Sequence, residues 1–109
     1  MDRGRLLVGG ALIDTKDRLD VVNPATGAAF ASCAVADEEI FGKAIAAARA
    51  AFPDWARQSW AARGAPLATL AARVEERLED FARLLTREQG KPIADARGVI
   101  KKLLAETES

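Results

Sequence analysis

Histidine is absent from the 109-residue chain, and cysteine occurs once, at Cys33. The first absence removes Ser-His-Asp and Cys-His catalysis, and nearly all zinc sites, from this chain taken alone. The second rules out an internal disulfide. Neither sign of charge is in excess, because 16 Lys and Arg balance 16 Asp and Glu. A neutral chain has no general attraction to nucleic acid or to an anionic membrane, and no Lys/Arg run marks a local basic patch. Every apolar run falls far short of the about 20 residues that cross a bilayer. The first residues carry no signal-peptide pattern: Asp2 and Arg3 precede a short apolar stretch broken by Gly9 and Gly10. Together these features predict a soluble, cytoplasmic protein that binds neither nucleic acid nor membrane. There is no internal repeat and no low-complexity linker, and the length suits one modest domain.

What is present changes character near residue 37. Leu6-Leu7-Val8 and Ala11-Leu12-Ile13 flank Gly9-Gly10. Two residues that tolerate positive φ between short apolar runs predict a tight hairpin. Leu19–Val22 and Ala29–Cys33 read as further strands, separated by Asn23-Pro24-Ala25-Thr26-Gly27, a strong turn signal. Asp37 then suits a helix N-cap, with Glu38 and Glu39 placing negative charge on the first turn. Ile40, Ala44, Ile45, Ala48, Ala51 and Phe52 recur at helical spacing, and Pro53 predicts the stop. Trp55 and Trp60 are expected in the connection. A second helical region is predicted from about Ala62, with Gly64 and Pro66 in its first turn and an apolar stripe of Leu67, Leu70, Ala71, Val74 and Leu78. The stripe shifts phase near Glu79, which predicts a break, and Phe81, Leu84 and Leu85 carry it on. Gly90 reads as the glycine that ends the region, and Pro92 as part of the first turn of a last helix.

No constellation of catalytic residues emerges. Gly90-Lys91 lacks the earlier glycine and the following Ser/Thr of a phosphate loop, since Leu85 and Pro92 hold those places. Gly9-Gly10 does not belong to a GxGxxG fingerprint. Cys33 lies in a predicted strand with no histidine to lower its pKa, so it reads as a small buried hydrophobe rather than a nucleophile. Glu75, Glu76, Glu79 and Asp80 alternate with Arg73, Arg77 and Arg83, with pairs such as Glu79 and Arg83 one turn apart. That pattern reads as a solvated helix face.

Four local patterns nevertheless occur in an order that resembles one family. Leu7-Val8-Gly9-Gly10-Ala11-Leu12-Ile13-Asp14 resembles the opening hairpin of aldehyde dehydrogenases. Val21-Val22-Asn23-Pro24-Ala25-Thr26-Gly27 is similar to that family's VxNPATGE segment. The stretch from Ala44 to Trp55 resembles the Ala-rich helix that follows, and Leu84 to Pro92 resembles the LLTLEQGKP element. The resemblance covers roughly residues 6 to 100. It departs from the pattern where Leu12 or Ile13 stands in place of the usual Trp, at Gly64 and Pro66, and after Ile100, where a shortened or frame-shifted gene would account for the difference.

The resemblance implies a class of chemistry. The family oxidises aldehydes to carboxylic acids through a cysteine thiolate, hydride transfer to NAD or NADP, and hydrolysis by a glutamate-activated water, with an asparagine and a backbone amide holding the oxyanion. All these residues, and the cofactor-binding strands, lie beyond the matched stretch. No catalytic or cofactor-binding role is therefore carried onto this chain, which is expected to bind no NAD(P) alone. One site does carry over. Some members bind a monovalent cation through backbone carbonyls before the NPATG turn and an acidic side chain before GKP, and the matching positions are Val21, Val22 and Glu88. The implied fold class is partial α/β: N-terminal antiparallel β-hairpins over residues 1–36, then three or four α-helices over residues 37–109. This would be an incomplete aldehyde-dehydrogenase cofactor-binding domain. The expected function is that of a dehydrogenase fragment, inactive by itself, whose partner is the remainder of the dehydrogenase or a homologous subunit. The alternative is a non-catalytic interaction module or half of a split enzyme. In either case the stripes around Leu70 and Leu84 are expected to lie uncovered.

Overall fold

The computed structural model describes residues 2–108, which form two compact units. The first runs up to Val22 and resumes over Ala28–Arg57; the second comprises Asn23–Gly27 and the chain from Gln58 onward. The fold is α/β, with short strands preceding four helices. None of these helices is long and apolar enough to cross a membrane.

The first unit holds strands β1 (Asp2–Gly4), β2 (Leu6–Val8), β3 (Ala11–Ile13), β4 (Arg18–Val22) and β5 (Ala29–Ala34), and helix α1 (Glu38–Arg57). β2 and β3 form the expected hairpin, with Val8 opposite Ala11. Gly9 and Gly10 both take positive φ, 59° and 81°, as a two-residue turn between twisted strands requires. β4 and β5 pair antiparallel, with a register irregularity between Val21 and Val22.

The sheet order is β1-β5-β4, and β1 runs parallel to β5. The expected antiparallel pairs are both present, and the parallel β1–β5 pair is added to them. A parallel neighbour needs a long crossover, and residues 5–28 supply it. Nothing apolar in Asp2-Arg3-Gly4 announces a strand. It is held by the Arg18 guanidinium, which donates to Gly4 O (2.9 Å), Ser32 O (3.0 Å) and Ser32 Oγ (2.9 Å) and pairs with Asp14. Arg18 is only 12% exposed, and Ser32 is a buried polar residue whose Oγ this contact satisfies.

Asp37 caps α1 as expected: its carboxylate accepts from the Ile40 amide at 2.8 Å. Pro53 does not stop the helix, which continues to Arg57 and so takes in Trp55. Proline removes its own N–H from the ladder and crowds the carbonyl four residues back, yet the helix runs on past it, and an Asp54–Arg57 ion pair spans the following turn. The second tryptophan is also helical, at the first position of α2 (Trp60–Glu76). The sequence reading missed Ser59, whose Oγ accepts from the Ala62 amide at 3.1 Å and starts the helix there. Gly64 and Pro66 consequently fall in the second turn rather than the first.

The phase shift near Glu79 is a real break. Arg77, at φ −116° and ψ 24°, separates α2 from α3 (Leu78–Gln89). Gly90 ends α3 at φ 76°, its amide donating to Thr86 O at 2.8 Å. α4 (Ile93–Glu108) then begins, with Pro92 O accepting from the Ala96 amide at 2.9 Å. α3 packs on α4, and Ala82 and Ala96, one on each helix, are completely buried. Small residues permit such close approach of two helices. Glu79 does not rely on Arg83 within its own helix. Its carboxylate accepts a two-pronged bond from Arg97 of α4, at 2.6 and 3.0 Å.

Candidate functional site

The NPATG turn is tightly specified. Asn23 Oδ1 accepts from the Ala25 amide at 2.9 Å, and Asn23 O accepts from Thr26 (3.2 Å) and Gly27 (2.8 Å). Gly27 takes φ 72°, a conformation open to glycine at little cost. Pro24 then meets the end of α3: a Cβ placed on Gly90 would lie 3.1 Å from Pro24 Cγ. Gly90 is thus required twice, for its left-handed cap and for the close approach of the turn. Two motifs about 65 residues apart in the chain are joined at this point. Sequence reading treated them separately, because no local signal says that one glycine must leave room for one proline.

The expected cation ligands flank this junction in the chain. Val21 and Val22 lie on β4 in the first unit, at the register irregularity, and Glu88 lies in the last turn of α3 in the second. The register skips Phe30, so the extra residue of the irregularity lies on β5, opposite Val21 and Val22, and Glu88 is exposed. Carbonyl and carboxylate oxygens are the donors a hard cation prefers, so the donor set fits in kind. No group of three or more His, Cys, Asp or Glu among the described residues could form a metal cage.

Cys33 is exposed, not buried as its small apolar character predicted. Its neighbours Ser32 and Ala34 on β5 are buried, while Cys33 lies on the opposite face of the strand, open to solvent among the described residues. Its sulfur leans over Gly4, leaving only 3.0 Å to a Cβ built there.

The electrostatically tuned groups are structural. The Thr15 amide, then the Arg3 guanidinium, hold the Asp14 carboxyl below its usual range, and the Arg18 charge adds to this. Arg97 holds Glu79 below its usual range, helped by the charges of Arg83 and Lys101, and Glu79 in turn raises Arg97. Each unit also has a groove. One of 380 Å³ lies between the Leu7–Gly10 hairpin and Ala44, Ala47, Ala48 and Ala51 of α1. The other, of 660 Å³, is floored by Ala68, Ala71, Ala72 and Leu104, with Glu75 and Lys101 as its only ionisable residues. Among the described residues, neither is lined by a cysteine or a serine, and Thr107 is the only hydroxyl residue of the second. No described glycine forms a phosphate cradle between a strand and a helix: Gly9-Gly10 turns a hairpin, Gly27 lies between strands, and Gly90 caps α3.

Comparison with known proteins adds what the geometry cannot. The model of the aldehyde dehydrogenase family matches residues 12–108, through the segment after Ile100 that had seemed to depart from the pattern. A probable aldehyde dehydrogenase of Pseudomonas sp is 44% identical over 100 residues, covering 92% of this chain and 20% of that protein. The 2-aminomuconic semialdehyde dehydrogenase of Danio rerio is 36% identical over 92 residues, covering 84% and 19%. Among solved structures, aldehyde dehydrogenase 21 of Physcomitrella patens, in complex with succinate, superposes with a TM-score of 0.93 at 31% identity, over 98% of this chain and 22% of that one. The NADP-dependent glyceraldehyde-3-phosphate dehydrogenase of Bacillus halodurans, complexed with NADP, gives 0.92 at 26% identity, over 96% and 22%. The chain spans about a fifth of the length of the relatives it matches.

Proposed function

Since the chain belongs to the aldehyde dehydrogenase family and corresponds to an N-terminal segment of it, we propose that it serves NAD(P)-dependent oxidation of an aldehyde to a carboxylate without performing the chemistry itself. The observation that carries this reading is the junction of Pro24 and Gly90, made by two of the matched motifs and free of reactive groups. The stretch acts as scaffold: it sets the turn and the end of α3. By the family resemblance, the thiolate, the activated water and the cofactor cradle are expected from parts of the family fold outside this stretch. We further propose a cytoplasmic location, with which the balance of 16 basic and 16 acidic residues is compatible.

The test is direct. The purified chain, incubated with NAD or NADP and a panel of short aldehydes, is expected to produce no reduced cofactor and to leave the fluorescence of NADPH unchanged. Turnover, or saturable NADPH binding, would overturn the reading.

The cation site belongs to the same proposal. Val21 O, Val22 O and Glu88 supply part of the coordination of a sodium or potassium ion, which needs oxygens from another part of the family fold to complete it. Glu88→Gln in the assembled enzyme is then expected to raise the potassium or sodium concentration needed for half-maximal stabilisation about tenfold, the loss of one charged ligand. An unchanged requirement would remove Glu88 from the site.

A further inference from the structure

Of the five strands, β5 is the one most in need of cover. Ala29–Ala34 is the longest of them, six residues without a charge, a proline or a glycine. An uncharged strand of that length pairs readily with another copy of itself wherever its edge is open. Both of its neighbours in the sheet are charged. β4 carries Arg18 and Asp20, and β1 carries Asp2 and Arg3. The order β1-β5-β4 therefore sets the uncharged strand between two charged ones.

The two covers are held differently. β4 is matched to β5 at five positions, β1 at three. β1 brings no apolar side chain of its own; Asp2 and Arg3 are exposed and Gly4 is half-buried. Its hold comes from two side chains of the connection that follows it. Arg18 donates to Gly4 O at 2.9 Å and to Ser32 O at 3.0 Å, and so ties the end of β1 to the middle of β5. Asp14 pairs with Arg18 and also with Arg3, at 3.2 Å. A strand fixed by a short ladder and a few polar contacts opens at lower cost than the sheet it lies on. Its fit is also tight. Gly4 lies opposite Cys33, and a Cβ built on Gly4 would stand 3.0 Å from Cys33 Sγ and 3.5 Å from Ser32 O. A methyl at position 4 and the thiol at position 33 thus compete for one space.

We propose that β1 is a detachable strap that guards the edge of β5. It lifts as a unit while β4 and β5 stay paired, and the edge it uncovers takes the β5 strand of a second copy of this chain. Arg18 is the clasp, and Gly4 gives the fit. The occupant is another copy because two β5 strands meet with no charge to bury or to repel. The strap acts on this chain's own strands, whatever reaction the family fold serves.

The experiment compares self-association of the 109-residue chain and its variants by sedimentation velocity. Arg18→Met and Gly4→Ala are each expected to tighten the dissociation constant for self-association about tenfold or more, with the helical signal in circular dichroism unchanged. Cys33→Ala vacates the space beside position 4, so it restores wild-type behaviour to Gly4→Ala but not to Arg18→Met. Cys33→Lys puts a charge on β5 and abolishes the added association of Arg18→Met. A wild-type constant for either folded variant overturns the strap. So does a tightening that Cys33→Lys leaves intact, which places the adhesive surface on another part of the chain. Where Arg18→Met loses its helical signal, Gly4→Ala decides with Cys33→Ala. Tightening by the first that the second reverses supports the strap; tightening without reversal, or none, overturns it.

Discussion

Substituting alanine at two glycines should move stability in opposite directions, for reasons visible in the backbone. Gly90 holds φ 76°, and its Cβ position lies 3.1 Å from Pro24 Cγ. Placing a Cβ in the left-handed region costs about 1–2 kcal/mol. Forcing the proline ring aside adds on the order of 1 kcal/mol, at the low end for overpacking. Gly90→Ala should therefore destabilise by about 2–3 kcal/mol. Gly64 lies inside α2 with nothing within 4 Å of its Cβ position and no positive φ. Gly64→Ala should stabilise by about 0.5–1 kcal/mol, because alanine loses less backbone freedom than glycine on entering a helix.

The assay is urea unfolding followed by far-UV circular dichroism. With a denaturant slope of about 1.5 kcal/mol per molar, the Gly90→Ala midpoint should fall by about 1–2 M, and that of Gly64→Ala should rise by about 0.5 M. Pro24→Ala then separates the two causes at Gly90. In that background the contact is gone and the φ penalty remains, so Gly90→Ala should cost only about 1–2 kcal/mol. Gly90→Ala at or above the wild-type midpoint would refute the reasoning about the cap and the turn together. An equal cost with and without Pro24 would refute the contact alone.

Arg18→Met removes the donors to Gly4 O, Ser32 O and Ser32 Oγ and leaves a buried hydroxyl unsatisfied, at a cost of about 3 kcal/mol; hydrogen exchange of the β5 amides should quicken, and Arg18→Lys should not restore them, since an ammonium cannot span the three acceptors. Ser59→Ala should cost about 1 kcal/mol by removing the cap of α2, and an unchanged thermal midpoint would show that the cap contributes nothing. Arg97 depresses Glu79 below its ordinary value of 4.5, so the pair's stabilisation is full above that pH and is lost as the pH falls through the lower, folded value. Glu79→Gln should flatten the acid limb of the thermal midpoint below pH 4.5, and a limb as steep as the wild type's would assign it to Asp14 or to other carboxylates.

The features legible in the sequence are those that a few adjacent residues decide. Gly9-Gly10 needs only its own φ values to turn the hairpin, Asp37 reaches an amide three residues ahead, and Gly90 caps its own helix. What escaped depends on residues distant in the chain. β1 becomes a strand because Arg18 and β5 hold it, and its own three residues give no sign of this. Glu79 finds Arg97, 18 residues on, although Arg83 is one turn away. Pro53 is a breaker by local rule, yet α1 closes another turn past it. Cys33 reads as buried because its chemistry suits a core, and it is exposed because it lies on the face of β5 that is open to solvent among the described residues. The candidate site follows the same division. Its turn and its cap could be read separately, but the contact between Pro24 and Gly90 could not.

That division bears on stability as well as on prediction. The buried apolar residues among those described are all alanines: Ala31, Ala34, Ala82 and Ala96. A buried methyl contributes about 0.8 kcal/mol, whereas a fully buried Leu or Phe contributes about 1.5–3. The described residues include sixteen large hydrophobic side chains that remain exposed, Leu70 and Leu84 among them as their stripes predicted. Leu70, 57% exposed, should therefore lose far less than a core leucine on truncation: Leu70→Ala should cost well under the about 2–5 kcal/mol of a buried Leu→Ala in urea unfolding, and a loss within that range would show that its face is covered.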